Sequence, residues 1–143
     1  MKYYSIVLAL GLLSLSACTS VNVRPVPAGQ PIKAVCIREN PKVIVADFVD
    51  ILVAGFARHG INATVIPPTA KPSEEFVVDY VAYRKWDMAP YLVDATIRIT
   101  RNGQIFASAE YHLKGGGGLS LAKWNSTKSK IDPVLDQLLV NYE

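Results

Sequence analysis

Between residues 90 and 114 apolar and polar side chains alternate on both sides of an Asn102-Gly103 pair. That pattern describes an antiparallel hairpin with one buried face. A two-residue turn would set Ile99 against Phe106, Ile97 against Ser108 and Ala95 against Glu110, mixing apolar with polar partners. A three-residue loop, Arg101-Asn102-Gly103 with Gly103 left-handed as a bulge, pairs Ile99 with Ile105, Ile97 with Ala107, Ala95 with Ala109, Val93 with Tyr111 and Tyr91 with Leu113. The bulged register is therefore expected, because a one-residue slip would turn the whole apolar set to water.

The rest of the chain supplies partners for this hairpin. Residues 76–86, 90–101 and 104–114 read as three long strands, and Lys33 to Glu39 as a short one. Asn40 is a suitable helix N-cap with Pro41 at the first helical position, and Ile44, Phe48, Ile51, Leu52 and Phe56 form one apolar stripe that ends at a left-handed Gly60. Residues 61–67 return as a strand, so the opening unit is β-α-β, and residues 67–74 form a loop. Ile131, Val134, Leu135, Leu138, Leu139 and Tyr142 recur at helical spacing and predict a helix over about 127–141, bent near Pro133. Its start is open between Asp132-Pro133 and an earlier cap at Ser126 or Thr127. The order β-α-β-β-β-α defines an α+β fold: two layers, a mostly antiparallel sheet and both helices on one face. Residues 33–143 are expected to form this single domain.

The start of the sequence has another purpose. Lys2 precedes an apolar run from Ile6 to Leu15, which is shorter than the roughly 20 residues that span a bilayer and matches a secretory signal. Leu15-Ser16-Ala17-Cys18 closes it, and this resembles the lipobox of bacterial lipoproteins. The resemblance implies cleavage after residue 17 and lipid on Cys18, with acyl chains holding the protein on a membrane. An ordinary signal peptide cut after Ala17 would instead leave Cys18 as a free thiol. Thr19, where a retained lipoprotein of that family has aspartate, implies sorting to the outer membrane, facing the periplasm. Residues 18–32, with three prolines and a glycine, are expected to be an extended tether.

Charge and cysteine content narrow the function classes. Removing residues 1–17 leaves 14 basic and 12 acidic residues, too mild an excess to argue for nucleic acid. With Cys18 lipidated, Cys36 has no partner for a disulfide and reads as a small core residue.

Candidate chemistry is sparse. In the bulged register Asp94 lies opposite Glu110, with His112 two residues further along. This polar cluster could bind a cation or share a proton, or simply form a solvated face. Gly115, Gly116, Gly117 and Gly118 lack the Lys-Ser/Thr that follows a phosphate-cradling loop, and fit a bend out of the sheet or a close approach to a partner. Ser120 follows Gly118 in a partial nucleophile-elbow pattern, but both histidines, His59 and His112, precede it. Tyr83, Trp86 and Trp124 are the aromatic candidates for a partner surface. No residue set specifies a metal or a cofactor, and no catalytic set is coherent.

The order of elements, with Ala46-Asp47-Phe48 through Gly60-Ile61-Asn62-Ala63-Thr64-Val65, resembles small accessory lipoproteins of the curli-secretion and lipopolysaccharide-assembly type. It implies a non-enzymatic accessory module of an envelope assembly or transport complex, held on the membrane by its N-terminal lipid and bound to an envelope protein partner. The alternative expectation is a lipoprotein that binds a small ligand or the cell wall, in a cleft where the glycine run meets Trp86 and Trp124.

Overall fold

The structure, a computed structural model, describes residues 19–141. Cys18, the signal segment and Tyr142 lie outside the described residues. The elements are β1 (Thr19–Arg24), β2 (Ala34–Arg38), α1 (Phe48–Arg58), β3 (Asn62–Ile66), β4 (Phe76–Asp87), β5 (Ala89–Arg101), β6 (Gln104–Leu113) and α2 (Thr127–Leu138), with two short 3-10 turns between β6 and α2.

The six strands form one mixed sheet in the order β1-β6-β5-β4-β2-β3. β2 runs parallel to both β3 and β4, while β4, β5, β6 and β1 are mutually antiparallel neighbours. This is the expected α+β arrangement. One alternating set of sheet residues, including Ile37, Val78, Tyr80, Ile97, Ile99, Ala107, Ala109 and Tyr111, packs with Phe48, Leu52 and Phe56 of α1 and Ile131, Leu135 and Leu138 of α2 in a single core. Among the described residues no helix is long and apolar enough to cross a membrane.

The β5–β6 hairpin corrects the expected register. Arg101 pairs with Gln104 and Thr100 with Ile105, so Asn102 and Gly103 form a two-residue turn with φ of 52° and 77°. The extra residue sits further along, at Phe106, after which Ile99 pairs with Ala107, Ile97 with Ala109 and Ala95 with Tyr111. From Ala107 onward the same residues face the core as expected, each partner on β6 being two positions on, but Ile105, expected beside Ile99 on that face, pairs with Thr100 and is 47% exposed. Asn-Gly satisfies the tight turn directly, and Phe106 bulges to stack against Phe76 with ring centroids 5.1 Å apart.

Two boundaries also differ. α1 begins at Phe48, not at Asn40, because Asn40 is held by β4: its side-chain amide donates to the Tyr80 carbonyl (2.9 Å) and its backbone N–H donates to the Tyr80 hydroxyl (3.1 Å). Ile44 is consequently 65% exposed and outside the helical stripe. The α1 C-terminus follows expectation, with Gly60 at φ 71° and Ile61 N–H donating to Phe56 C=O at 3.0 Å. Residues 19–24, placed in an extended tether by their neighbouring prolines, instead pair with β6 from Thr19–Leu113 to Arg24–Ser108. Val26 and Ile32 of the same stretch are fully buried. Unused hydrogen-bonding groups on β6 and two apolar anchors outweigh the prolines, which fall beyond the paired residues.

α2 starts at the earlier of the two open positions. The Ser126 hydroxyl accepts from Ser129 N–H at 3.1 Å, and Pro133 lies inside the helix. The helices touch closely at Gly55, where an added Cβ would lie 2.3 Å from Leu135 Cδ1. A charged clasp covers the contact: Arg58 donates to Asp132 (3.0 Å) and Asp136 (2.9 Å), and His59 bonds to Asp136 at 2.9 Å. The His59 hydrogen bond and then the Arg58 guanidinium hold the Asp136 carboxyl below the usual carboxylate range.

Candidate functional site

Where β4 passes into β5 the sheet outgrows its core. Buried and open residues alternate along β4 until Tyr83; from there to Pro90 every side chain is exposed. A register shift between Tyr83 and Arg84 leaves Val93 as an extra residue on β5, so Tyr91, Leu92 and Val93 are buried in succession. The bulge draws three neighbouring side chains inward and directs the remaining ribbon away from the core. At its tip Asp87 pairs with Ala89, and Met88 adopts φ 59°, a left-handed conformation that a long side chain rarely takes.

The segment after β6 wraps against this ribbon. Gly115, Gly116, Gly117 and Gly118 all have positive φ, between 49° and 82°, so the run makes a bend that L side chains resist. Gly117 is the position that most needs its hydrogen: a Cβ there would lie 2.6 Å from Lys123 Cβ and 3.2 Å from Leu113. The glycines let the chain fold over Lys123, which is only 7% exposed. Its ammonium donates to Asp87 Oδ2 at 2.5 Å and to Gly118 C=O at 3.3 Å, and lies 4.3 Å from the Trp124 ring centroid. A buried ammonium is tolerated because a carboxylate, a carbonyl and an aromatic face surround it. The Trp124 indole N–H donates to Asp87 C=O at 2.8 Å. Lys130 adds a second strut, donating to Lys123 C=O (2.5 Å) and Leu92 C=O (3.3 Å); burial pushes its ammonium pKa down.

The structure therefore brings Trp86, Trp124, Tyr83 and the four glycines to one end of the sheet, but in different roles. Trp124 is partly buried and braces the loop, whereas Trp86 and Tyr83 face solvent. The cleft beside Trp86, about 400 Å³, is lined by Ile44, Arg84, Lys85, Trp86 and Pro90. Gly117 is packed against Lys123 and lines no part of it. Lys123 and Asp87, whose ion pair organises this end, carry no signal in the sequence that separates them from surface charges.

The second candidate cluster is rearranged by the hairpin register. Asp94 pairs with His112, and Glu110 with Thr96 and, across the other neighbour, Asn22. His112 Nδ1 hydrogen-bonds Asp94 Oδ1 on the solvent face of the sheet. The two carboxylates do not face each other, and among the described residues no group of three or more His, Cys, Asp and Glu side chains is placed to hold a metal ion. Tyr111, on the core face, has a buried hydroxyl without a hydrogen-bond partner; burial, and then the charge of Asp94, push its pKa up. Cys36 is fully buried, with Sγ 3.5 Å from Ser73 Oγ, as expected of a core thiol.

These features define the class: a small α+β domain with an open mixed sheet, two helices on one face and an exposed apolar end. No protein-family model matches the sequence, and no curated protein matches it. Among solved structures the chain is similar to PelC from Paraburkholderia phytofirmans, a dodecamer. One is a single-substitution variant, with a TM-score of 0.60 and 18% identity over 84% of this chain and 97% of that one. Another PelC dodecamer from the same organism gives a TM-score of 0.57 and 16% identity over 84% of this chain and 98% of that one. At these identities the likeness is one of fold.

Proposed function

We propose that this chain is a lipid-anchored, non-enzymatic module of an envelope complex that works as an assembly of copies of itself. The fold carries the reading: it matches nearly the whole length of a PelC protomer, and PelC is a dodecamer. The Leu15-Ser16-Ala17-Cys18 lipobox supports export and anchoring on the outer membrane, on its periplasmic side. A sheet open at β1 and at β3 has two unlike edges, which suits head-to-tail contacts that close into a ring.

The test is to purify the native protein from membranes in mild detergent and to measure both the mass of its N-terminal peptide and the mass of the whole particle. A lipid-bearing Cys18 and a particle of many subunits are expected. An unmodified Met1 start, or a monomer at concentrations where copies should associate, would overturn the reading.

A further inference from the structure

We propose that the outer face of the sheet carries a binding site for an α-amino-acid headgroup, an ammonium and a carboxylate on one carbon: Asp79 takes the ammonium, and Arg98 and Arg38 take the carboxylate. The site requires neither the lipid anchor nor assembly of copies.

The helices cover one face of the sheet, and on the other the strands bring three charged residues into one row. Arg38 ends β2, Asp79 lies on the neighbouring strand β4, and Arg98 is its direct partner on β5. Asp79 therefore stands between two guanidiniums, yet neither holds it closely. Arg38 Nη1 lies 3.7 Å from Asp79 Oδ1, too long for a hydrogen bond, and Arg98 makes no ion pair among the described residues. The Arg38 Nε–H is buried without an acceptor among the described residues. A guanidinium has only donors and a carboxylate only acceptors, so both arginines retain N–H groups for an oxyanion and Asp79 retains lone pairs for a donor.

The walls are set before a ligand arrives. Arg38, Asp79 and Arg98 line a cleft of about 260 Å³ together with Thr96, Pro41 and Pro68. Asn40 fixes the Pro41 side, because its side-chain amide and its backbone N–H both donate to Tyr80. Proline rings, with φ locked, stiffen that wall and the one at Pro68. A site so prepared gives up little on binding. Its volume falls below the roughly 300–1,000 Å³ of sites for drug-sized molecules, and so suits one small headgroup. A second cleft of about 460 Å³ shares Arg38 and Asp79 and runs to Thr100 and Asn102, which leaves room for a chain behind that headgroup.

Charge selects the ligand. Glu39 also lines the first cleft, so two carboxylates offset two guanidiniums, and net charge favours neither a bare anion nor a bare cation. A group that carries both charges meets a partner for each. Directly opposed residues on antiparallel neighbours have Cβ atoms about 4.5–5.5 Å apart, so Asp79 and Arg98 are close enough for one carbon to present its ammonium to the first and its carboxylate to the second. Free amino acids carry this headgroup, and so does the diamino acid of cell-wall stem peptides.

The experiment is a saturation-transfer NMR titration of the full-length lipoprotein in detergent micelles, with L-alanine, meso-diaminopimelic acid and the tripeptide L-alanyl-D-glutamyl-meso-diaminopimelate as probes. Saturable binding is expected. Asp79→Asn and Arg98→Gln should each weaken it about tenfold or more, the loss expected of a hydrogen bond between charged groups. Arg24→Gln removes an equal charge from the same face, in register with Arg98 through Ser108 but outside the cleft, and should change affinity less than about twofold. N-acetyl-L-alanine and L-alaninamide, each with one charge blocked, should bind about tenfold or more weaker than L-alanine to the unaltered chain, which keeps the test sound if a variant folds poorly. Tighter binding of the tripeptide than of L-alanine would assign the headgroup to the cell wall, and equal binding would assign it to free amino acids; both support the site. No saturable binding of any probe at millimolar concentration overturns the proposal. So do equal losses in Arg24→Gln and Arg98→Gln, which would reduce the attraction to diffuse charge, and undiminished binding of either blocked alanine. A monomeric particle or an unlipidated Cys18 would sink the functional reading above and leave this titration unaffected.

Discussion

β5 contributes to two hairpins, and its two ends are finished in opposite ways. At the Arg101 end the turn is Asn102-Gly103, a pair made for positive φ, and polar groups surround it: Arg101 bonds Glu75 at 2.5 Å and lies 5.5 Å from the Phe76 ring centroid. At the Ala89 end the turn is Asp87-Met88-Ala89, with positive φ on a long apolar residue and Trp86 exposed beside it. Each hairpin also carries one bulge, Phe106 on the first and Val93 on the second. The same devices serve one end that is suited to water and another that is not. A fold selected only for solubility would finish both ends alike, so the contrast itself argues for a contact made by the Ala89 end.

The shared strand gives the largest expected effect. Ile99 is fully buried, and Ile99→Ala should cost about 2–5 kcal/mol in urea denaturation, with tryptophan emission and far-UV circular dichroism changing together. If the two signals separated, the ends would be independent units and the comparison would lose its basis. Next, Gly117→Ala forces a Cβ into Lys123 at a φ of 82°, and about 1–3 kcal/mol of stability should be lost with a change in Trp124 emission. The turns themselves should then respond with opposite signs. Gly103→Ala, at φ 77°, should destabilise by about 1 kcal/mol, while Met88→Gly removes left-handed strain and should stabilise by up to about 1 kcal/mol in the same thermal assay. Equal signs would show that Met88 is not strained and that the two turns are equivalent.

The smallest effect belongs to a site outside both ends. Asp136 has its folded-state pKa depressed, so its contribution is present above the ordinary aspartate pKa of about 4 and disappears as pH falls through the lower folded value. Because the carboxylate is about half exposed, screening keeps Asp136→Asn to under about 1 kcal/mol at neutral pH. Native and variant melting temperatures should converge in acid. A difference that persisted there would mean that the clasp acts through packing, not charge.

Much of this architecture was legible in the residues. Alternation from 76 to 114 located three strands, the spacing from Ile131 to Leu138 located the second helix, and Gly60 marked the end of the first. The start of that helix was not legible, because Asn40 is an equally good partner for Tyr80 on β4, and only the folded chain brings Tyr80 within reach. β1 was hidden for a similar reason: Val21 and Val23 are a short alternation beside prolines, and what recruits them is the free edge of β6. At the candidate site the aromatic residues were visible, but the division of labour between Trp86 and Trp124 was not. It depends on Lys123, whose burial follows from a bend five to eight residues earlier and from a carboxylate 36 residues away.

What the residues determined alone was parity: which side chains share a face of the sheet, where positive φ is demanded, and which stripe a helix turns inward. These are properties of a few consecutive residues, and the two-residue period of a strand writes them into the order of side chains. The offset between strands is another matter. Sliding β6 by two positions leaves the faces from Ala107 onward unchanged, so the pattern is blind to it, and only the packing of Phe106 on Phe76 and the tight Asn102-Gly103 turn selected the observed pairs, turning Ile105 to the solvent side. The pairing of Asp94 with His112 follows from that offset, and the docking of β1 and the gathering of residues around Asp87 follow from contacts between distant segments, so all three were decided by tertiary structure.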